Sequence, residues 1–430
     1  MDETRKWTIY LILLVAGFAT GIGTIALFPQ FWLQYGITGL ALHLIFLALF
    51  TYVAILEAET VMKSGYYFVE LYNKLSKRPA MILAIFITIA LFLSYYAANI
   101  MLSLVSPFLG TGTLSRLVAK LIMLGLTFLI LTRAKEKTFA IMALGSGFFV
   151  VAVLLTAIAF KTQIPEDAIF LGMAKHMLSS TQSVSLDMVK AAAERALYGV
   201  GLGFAFYLMI GSFINERFNP KLIIGTGILI QLLIGLLSTV IVVYAIAPTT
   251  PEKLITYVYG GEEGAIKLVG ELPQILKDYP VLLALIGLSA FFAGLTSLLP
   301  TAEAGLQIIE MLLGLGRKKA ATYLISIALA IGIVDSPPTM AEMILKAVVI
   351  ATFFTAIYEL YPLVLMKDRL PNIAMPLAGA AALLFAVGGL YAFEVTLRKG
   401  GVYVASAILA AIIVLFGLFG DRVLPQRSVE

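Results

Sequence analysis

Two stretches of this sequence concentrate glycine within segments long enough to cross a membrane. One is VAGFATGIGTIALFP at 15–29, with Gly17, Gly21, Gly23 and then Pro29; the other is YGVGLGFAF at 198–206, with Gly199, Gly201 and Gly203. Isolated glycines in such helices let neighbours pack closely, but clusters this dense predict interruption. An interrupted helix in lipid has unsatisfied backbone, tolerated only where it lines a cavity or meets a ligand. One half-helix then presents N–H groups and the positive end of its dipole, which suit a carboxylate. The other presents free carbonyls, which suit a cation. Such a site holds a zwitterion beside an alkali ion without a buried charged side chain, and none lies between Lys6 and the end of the first apolar run.

Other chemistries are excluded by what is missing. There is no cysteine, so no disulfide framework, thiolate metal site or cysteine nucleophile. The two histidines, His43 in the second apolar segment and His176 in a loop, are read as a packed and a solvated residue. No paired aspartates and no Ser-His-Asp grouping lie in the apolar segments, so an enzyme is not expected. Neither a continuous polar stripe nor repeated filter loops, as a channel needs, is visible.

The elements that must position these glycines are membrane spans. Of 430 residues 61% are hydrophobic and 13% charged, and the mean hydropathy is +1.00. An all-α polytopic membrane protein is expected, with about twelve helices near 8–34, 38–62, 80–106, 114–133, 138–161, 192–214, 221–247, 280–313, 319–335, 340–366, 373–394 and 401–419. Basic residues cluster in alternate connections: Arg5/Lys6, Lys74/Lys77/Arg78, Arg133/Lys135/Lys137, Arg217/Lys221, Arg317/Lys318/Lys319, Lys367/Arg369 and Arg422/Arg427. By the positive-inside rule both termini are cytoplasmic. The net charge of +5 is spread over these loops and is not a nucleic-acid patch. Two long connections on the opposite face, about 162–191 and 248–279, are expected to form lids or vestibule walls. The glycine clusters lie five spans apart, the pointer to an inverted-repeat transporter with a midplane site. A single domain over 1–430 follows, with repeat one at about 8–161, repeat two at about 192–366 and two appended helices at about 373–419.

Three motifs, AGFATGIGTIALFP at 16–29, GVGLGFAF at 199–206 and FFAGLTS at 291–297, resemble the neurotransmitter:sodium symporter family, whose prokaryotic amino-acid members have the LeuT fold. The last motif is the most specific. The resemblance implies discontinuous helices one and six, and a sodium site formed by the carbonyls of Gly17, Thr20 and Ala293 with the hydroxyls of Thr296 and Ser297. Alone, those two hydroxyls would be read as bonding back to carbonyls of their own helix; beside an interrupted first span, the cation reading is favoured. The family's other sodium site maps to Ala19, Thr24, Gly199 and Gln231. It lacks one hydroxyl, because glycine stands at 199, so coupling to one sodium rather than two is open.

By the same resemblance, the substrate is framed by Ala19, Gly21, Gly23, Phe92, Tyr96, Tyr198, Gly201, Leu202, Phe204, Ser297 and Thr301, with the Tyr96 hydroxyl directed at a carboxylate. The aromatic and aliphatic walls suit an apolar or aromatic amino acid. Leu27 stands where the family keeps a gating arginine. Arg195 is expected to replace it, closing over the substrate toward Glu342 or toward the carboxylate itself, the alternative being that Arg195 caps the entry of span six in water. On the cytoplasmic side, Arg5 is expected to gate with Glu310. The function implied is sodium-coupled amino-acid symport across the cell membrane by alternating access. The partners are then Na+, an amino acid and the lipid bilayer, with no nucleic acid. Two alternatives stay open: proton coupling of the same fold through Glu57 or Glu59, and a sensor that binds without transporting.

Overall fold

The structure, a computed structural model, describes residues 3–165, 170–246 and 249–424. Arg427 lies outside them. The chain is helical: α1 (Glu3–Ala19), α2 (Ile22–Ser64), α3 (Pro79–Leu109), α4 (Thr113–Leu131), α5 (Lys135–Gln163), α6 (Leu171–Ser179), α7 (Leu186–Val200), α8 (Phe206–Phe213), α9 (Pro220–Ile246), α10 (Pro251–Tyr259), α11 (Gly261–Ile275), α12 (Pro280–Leu313), α13 (Arg317–Val334), α14 (Pro338–Glu359), α15 (Ala374–Arg398) and α16 (Val402–Phe419).

Among the described residues, nine helices are long and apolar enough to cross a membrane. One of them, Gly23–Ser64, holds two of the expected segments. It joins the second half of span one to span two through Gly36, whose φ of +57° and ψ of −152° turn the chain. The remainder are the shorter halves α1, α7 and α8, together with α13, whose first turn carries Arg317, Lys318 and Lys319. The twelve expected segments are thus all helical.

Both interruptions fall at the glycine clusters. The first is short: only Thr20 and Gly21 leave the helix, Gly21 being extended at φ −81° and ψ 177°, and Gly23 is already helical. The Gly21 carbonyl already accepts from Thr24 N–H at 2.9 Å, so one extended residue suffices to restart the helix.

The second interruption spans residues 201–205, with left-handed φ at Gly201 (+86°), Gly203 (+97°) and Ala205 (+56°). A left-handed alanine costs about 1–2 kcal/mol, so this turn must be held from outside. Glu359 of α14 holds it: its carboxylate accepts Gly203 N–H at 2.6 Å and also Ala205 N–H. Thr355 Oγ1 donates to the Gly203 carbonyl at 2.9 Å.

The packing divides the bundle around these breaks. Helix α2 lies along α7, α8 and α9, while α1 lies between α5 and α9; α12 packs on α3 and α5, and α14 on α3, α15 and α16. A fully buried ion pair joins Lys120 of α4 to Asp335 at the end of α13, and Ser94 of α3 donates to the same carboxylate at 2.9 Å. His43 is buried with its ring 5.3 Å from Phe28 and 5.9 Å from Phe31, and His176 is exposed, as the sequence implied, but on helix α6 rather than in a loop. At one end of the bundle, Arg78 bonds Asp421, Arg317 bonds the Arg133 carbonyl and Arg369 bonds the Lys63 carbonyl, so basic residues from distant connections meet beside the start of α1 and the end of α16. Helices α6, α10 and α11, within the two long connections, cover the other end.

Candidate functional site

The break between α1 and α2 faces Thr296 and Ser297 near the middle of α12. Thr296 Oγ1 lies 3.2 Å from the Gly17 carbonyl and 3.2 Å from the Ala293 carbonyl. Ser297 Oγ lies 3.3 Å from Gly17 O, 3.0 Å from Phe18 O and 3.2 Å from Ala293 O. Oxygens from two helices thus converge, all in buried residues. This closeness requires glycine at 17: a Cβ there would sit 2.0 Å from Ser146 Oγ of α5 and 2.9 Å from Thr296 Cβ. Thr20 stands at the break, and its own hydroxyl bonds back to Ala16 O at 2.6 Å.

The distances suit a hard cation. Metal–oxygen bonds of about 2.3–2.6 Å place ligands at right angles about 3.3–3.7 Å apart. The hydroxyl–carbonyl separations here are within a few tenths of an ångström of that, and each hydroxyl needs only to rotate its proton away.

Gly21, extended at the break, sits under the Tyr96 hydroxyl: a Cβ would be 2.8 Å from Tyr96 Oη and 3.5 Å from Ser297 Oγ. Phe92 stacks on Tyr96 with centroids 4.6 Å apart and tilts against Phe204 at 4.9 Å. Ala19, Leu202 and Phe204 are buried, and Thr301 bonds back to Ser297 O at 2.8 Å. The structure therefore brings Gly21, Phe92, Tyr96, Phe204 and Ser297 together. Tyr198 reaches the Val349 carbonyl at 3.5 Å. Gly201 faces elsewhere: a Cβ there would be 2.4 Å from the Phe18 ring, so this glycine lets the second break approach α1. Gly23 is open on its side-chain face apart from Leu27 at 3.7 Å.

Of the second cation set, Ala19 and Thr24 are buried, while Gly199 and Gln231 are close neighbours, a Cβ at 199 lying 3.2 Å from Gln231 Nε2. Gln231 is buried and its Oε1 has no hydrogen-bond partner among the described residues.

Both expected gate pairs are corrected. Arg195 does not reach Glu342; its guanidinium bonds Glu194 at 2.6 Å and lies over the Tyr198 ring at 5.7 Å. Glu194, largely buried, also takes Lys190 at 2.9 Å. Glu342 instead accepts from the Tyr403 hydroxyl of α16. At the other end Arg5 is exposed and not paired with Glu310, which is half-buried. The ionic clasp there is Glu303–Arg317. Glu303 is fully buried and receives both guanidinium nitrogens, at 2.9 and 2.6 Å, and Gln307 at 2.9 Å. Trp7 packs edge-on against Phe213 beside it, at 5.7 Å.

Sequence reasoning passed over Glu303, Glu359, Lys120 and Asp335, although a charge within an apolar span is itself the signal. Gln30, whose amide bonds Gly261 O at 2.6 Å and also Tyr257 O, offered no such signal.

Two facing mid-helix breaks, with the Thr-Ser pair of a continuous helix beside them, give the LeuT-type fold that the three sequence motifs imply. The solved structure of MhsT in complex with L-phenylalanine has this architecture: it matches with a TM-score of 0.58 over 96% of this chain and 96% of that one, at 17% sequence identity. No protein-family model matches the sequence, and no curated protein matches it significantly.

Proposed function

We propose that this protein is a secondary transporter that carries an apolar or aromatic amino acid across the cell membrane together with sodium, by alternating access. The observation carrying this reading is the α1 break itself. On one side, Gly17 and Ala293 carbonyls and the Thr296 and Ser297 hydroxyls converge at cation spacing. On the other, the Tyr96 hydroxyl stands over the extended Gly21, where a carboxylate meets bare backbone N–H groups. Ion and zwitterion are neighbours there, so each raises the other's affinity. Phe92, Phe204 and Leu202 supply an apolar wall, in keeping with the L-phenylalanine bound to MhsT.

The basic end of the bundle, with both termini, is read as cytoplasmic, and the end covered by α6, α10 and α11 as outer. Alternating access would rock α1, α2, α7, α8 and α9 against the remaining helices. The experiment is uptake of the standard amino acids into proteoliposomes with a sodium gradient, then with potassium or choline in its place. Uptake that needs sodium supports the reading, and sodium-independent uptake overturns its coupling.

A second reading is favoured by one observation: Glu57 of α2 is fully buried and, among the described residues, neither of its carboxyl oxygens has a hydrogen-bond partner. Proton coupling would use that group; Glu59, bonded to Lys63 at 2.9 Å, is the weaker candidate. Uptake driven by a pH gradient without sodium, and lost in Glu57→Gln, would select it. Binding of a labelled amino acid without counter-flow would instead identify a sensor.

A further inference from the structure

We propose that Gln30 is the latch of the outer gate, fastening the first half of α2 to the α10–α11 lid so that the two close as one body. The proposal rests on the transporter reading above, which requires this end to open.

The latch cannot be ionic. The segment 22–36 contains no Asp, Glu, Lys or Arg, and position 27 is leucine. The charges nearby are engaged within the wall, Arg195 on Glu194 and Glu342 on Tyr403. What crosses from the half-helix to the lid is neutral and reciprocal. The Gln30 amide donates to the carbonyls of Tyr257 and Gly261, at the end of α10 and the start of α11, while the Tyr257 hydroxyl donates back to the Ala26 carbonyl at 2.5 Å. Gln30 is 6% and Tyr257 1% exposed, so these bonds are shielded from water.

The side-chain amide carries two N–H donors, one for each lid carbonyl, which makes a Gln at 30 specific rather than merely polar. The same half-helix is tied to the other long connection: Trp32 Nε1 donates to Leu178 O at 3.1 Å and, just past the Gly36 turn, Ile37 N–H donates to Ser180 O at 2.8 Å. Segment 22–36 thus carries both outer loops, and Gln30 is the fastening to the one that spans the mouth.

The chain has no cysteine, so a single reporter is unambiguous. Leu27→Cys, one turn from Gln30 and half-buried, is labelled in full-length protein in proteoliposomes with a membrane-impermeant charged methanethiosulfonate. Loss of both amide bonds in Gln30→Leu should raise the labelling rate about tenfold, and loss of the return bond in Tyr257→Phe about threefold. Rates within about twofold of the reporter alone in both variants would overturn the latch; if Gln30→Leu does not fold, Tyr257→Phe decides. A reporter that never reacts in any folded variant, yet reacts after denaturation, would refute the opening of this end and the latch with it. Equal, measurable rates in all variants refute the latch alone.

Discussion

Thr296→Val tests the cation site with little change of shape, because only the hydroxyl oxygen is lost. In the structure that oxygen is 3.2 Å from Gly17 O, 3.2 Å from Ala293 O and 2.8 Å from Phe292 O. It is one of five oxygens assigned to the ion. A charge-assisted contact contributes about 1.5–3 kcal/mol, and each 1.4 kcal/mol is about tenfold in affinity. Half-saturation by sodium should therefore rise about 10- to 100-fold. Substrate affinity at saturating sodium should change little, because Thr296 does not face Gly21 or Tyr96. The assay is a sodium titration of the amino-acid-dependent thermal shift, since a ligand that binds the folded state stabilises it by mass action. An unchanged sodium midpoint in a folded Thr296→Val protein would refute the placement of the ion between α1 and α12.

Gly17→Ala should fail to pack α1 against α5, because the new Cβ would lie 2.8 Å from Ser146 Cβ as well as 2.0 Å from its hydroxyl; a clear loss of thermal stability is expected, and wild-type stability would disprove the close approach. Glu359→Gln should leave one backbone N–H of the second break without an acceptor, costing about 1–3 kcal/mol, read as weaker amino-acid binding and a lower melting temperature. Arg317→Ala should be markedly destabilising, by about 3–5 kcal/mol, because it strands a buried carboxylate, whereas Glu303→Leu with Arg317→Leu should cost much less. Parity of the single and double variants in a thermal-stability assay would show that the pair is not desolvated.

Much of the fold was legible because hydropathy and glycine act locally. A run of apolar residues forms a helix in lipid whatever its neighbours, and Gly201 and Gly203 mark left-handed backbone wherever that helix is placed. The gates were not legible. The resemblance set Arg195 and Glu342 on one vestibule, yet one residue along a helix turns a side chain by about 100°, and Glu194 already stood beside Arg195. Tyr403 reached Glu342 from a helix that no pattern in the sequence assigns to that neighbourhood. Glu303 and Glu359 were visible as charges in apolar runs, but not as the partners of Arg317 and of the second break.

By itself the sequence determined an α-helical membrane protein and two interrupted spans. These follow from hydrophobic burial and from the few residues that can leave a helix, both properties of short segments. Only the tertiary structure decided that the first break is two residues long, that Gly17 brings α1 against the hydroxyls of α12, and that a neutral amide at 30 meets two lid carbonyls. Those depend on how helices rotate and slide against one another. That is set by the fit of whole faces, so it cannot be read from any one stretch of chain.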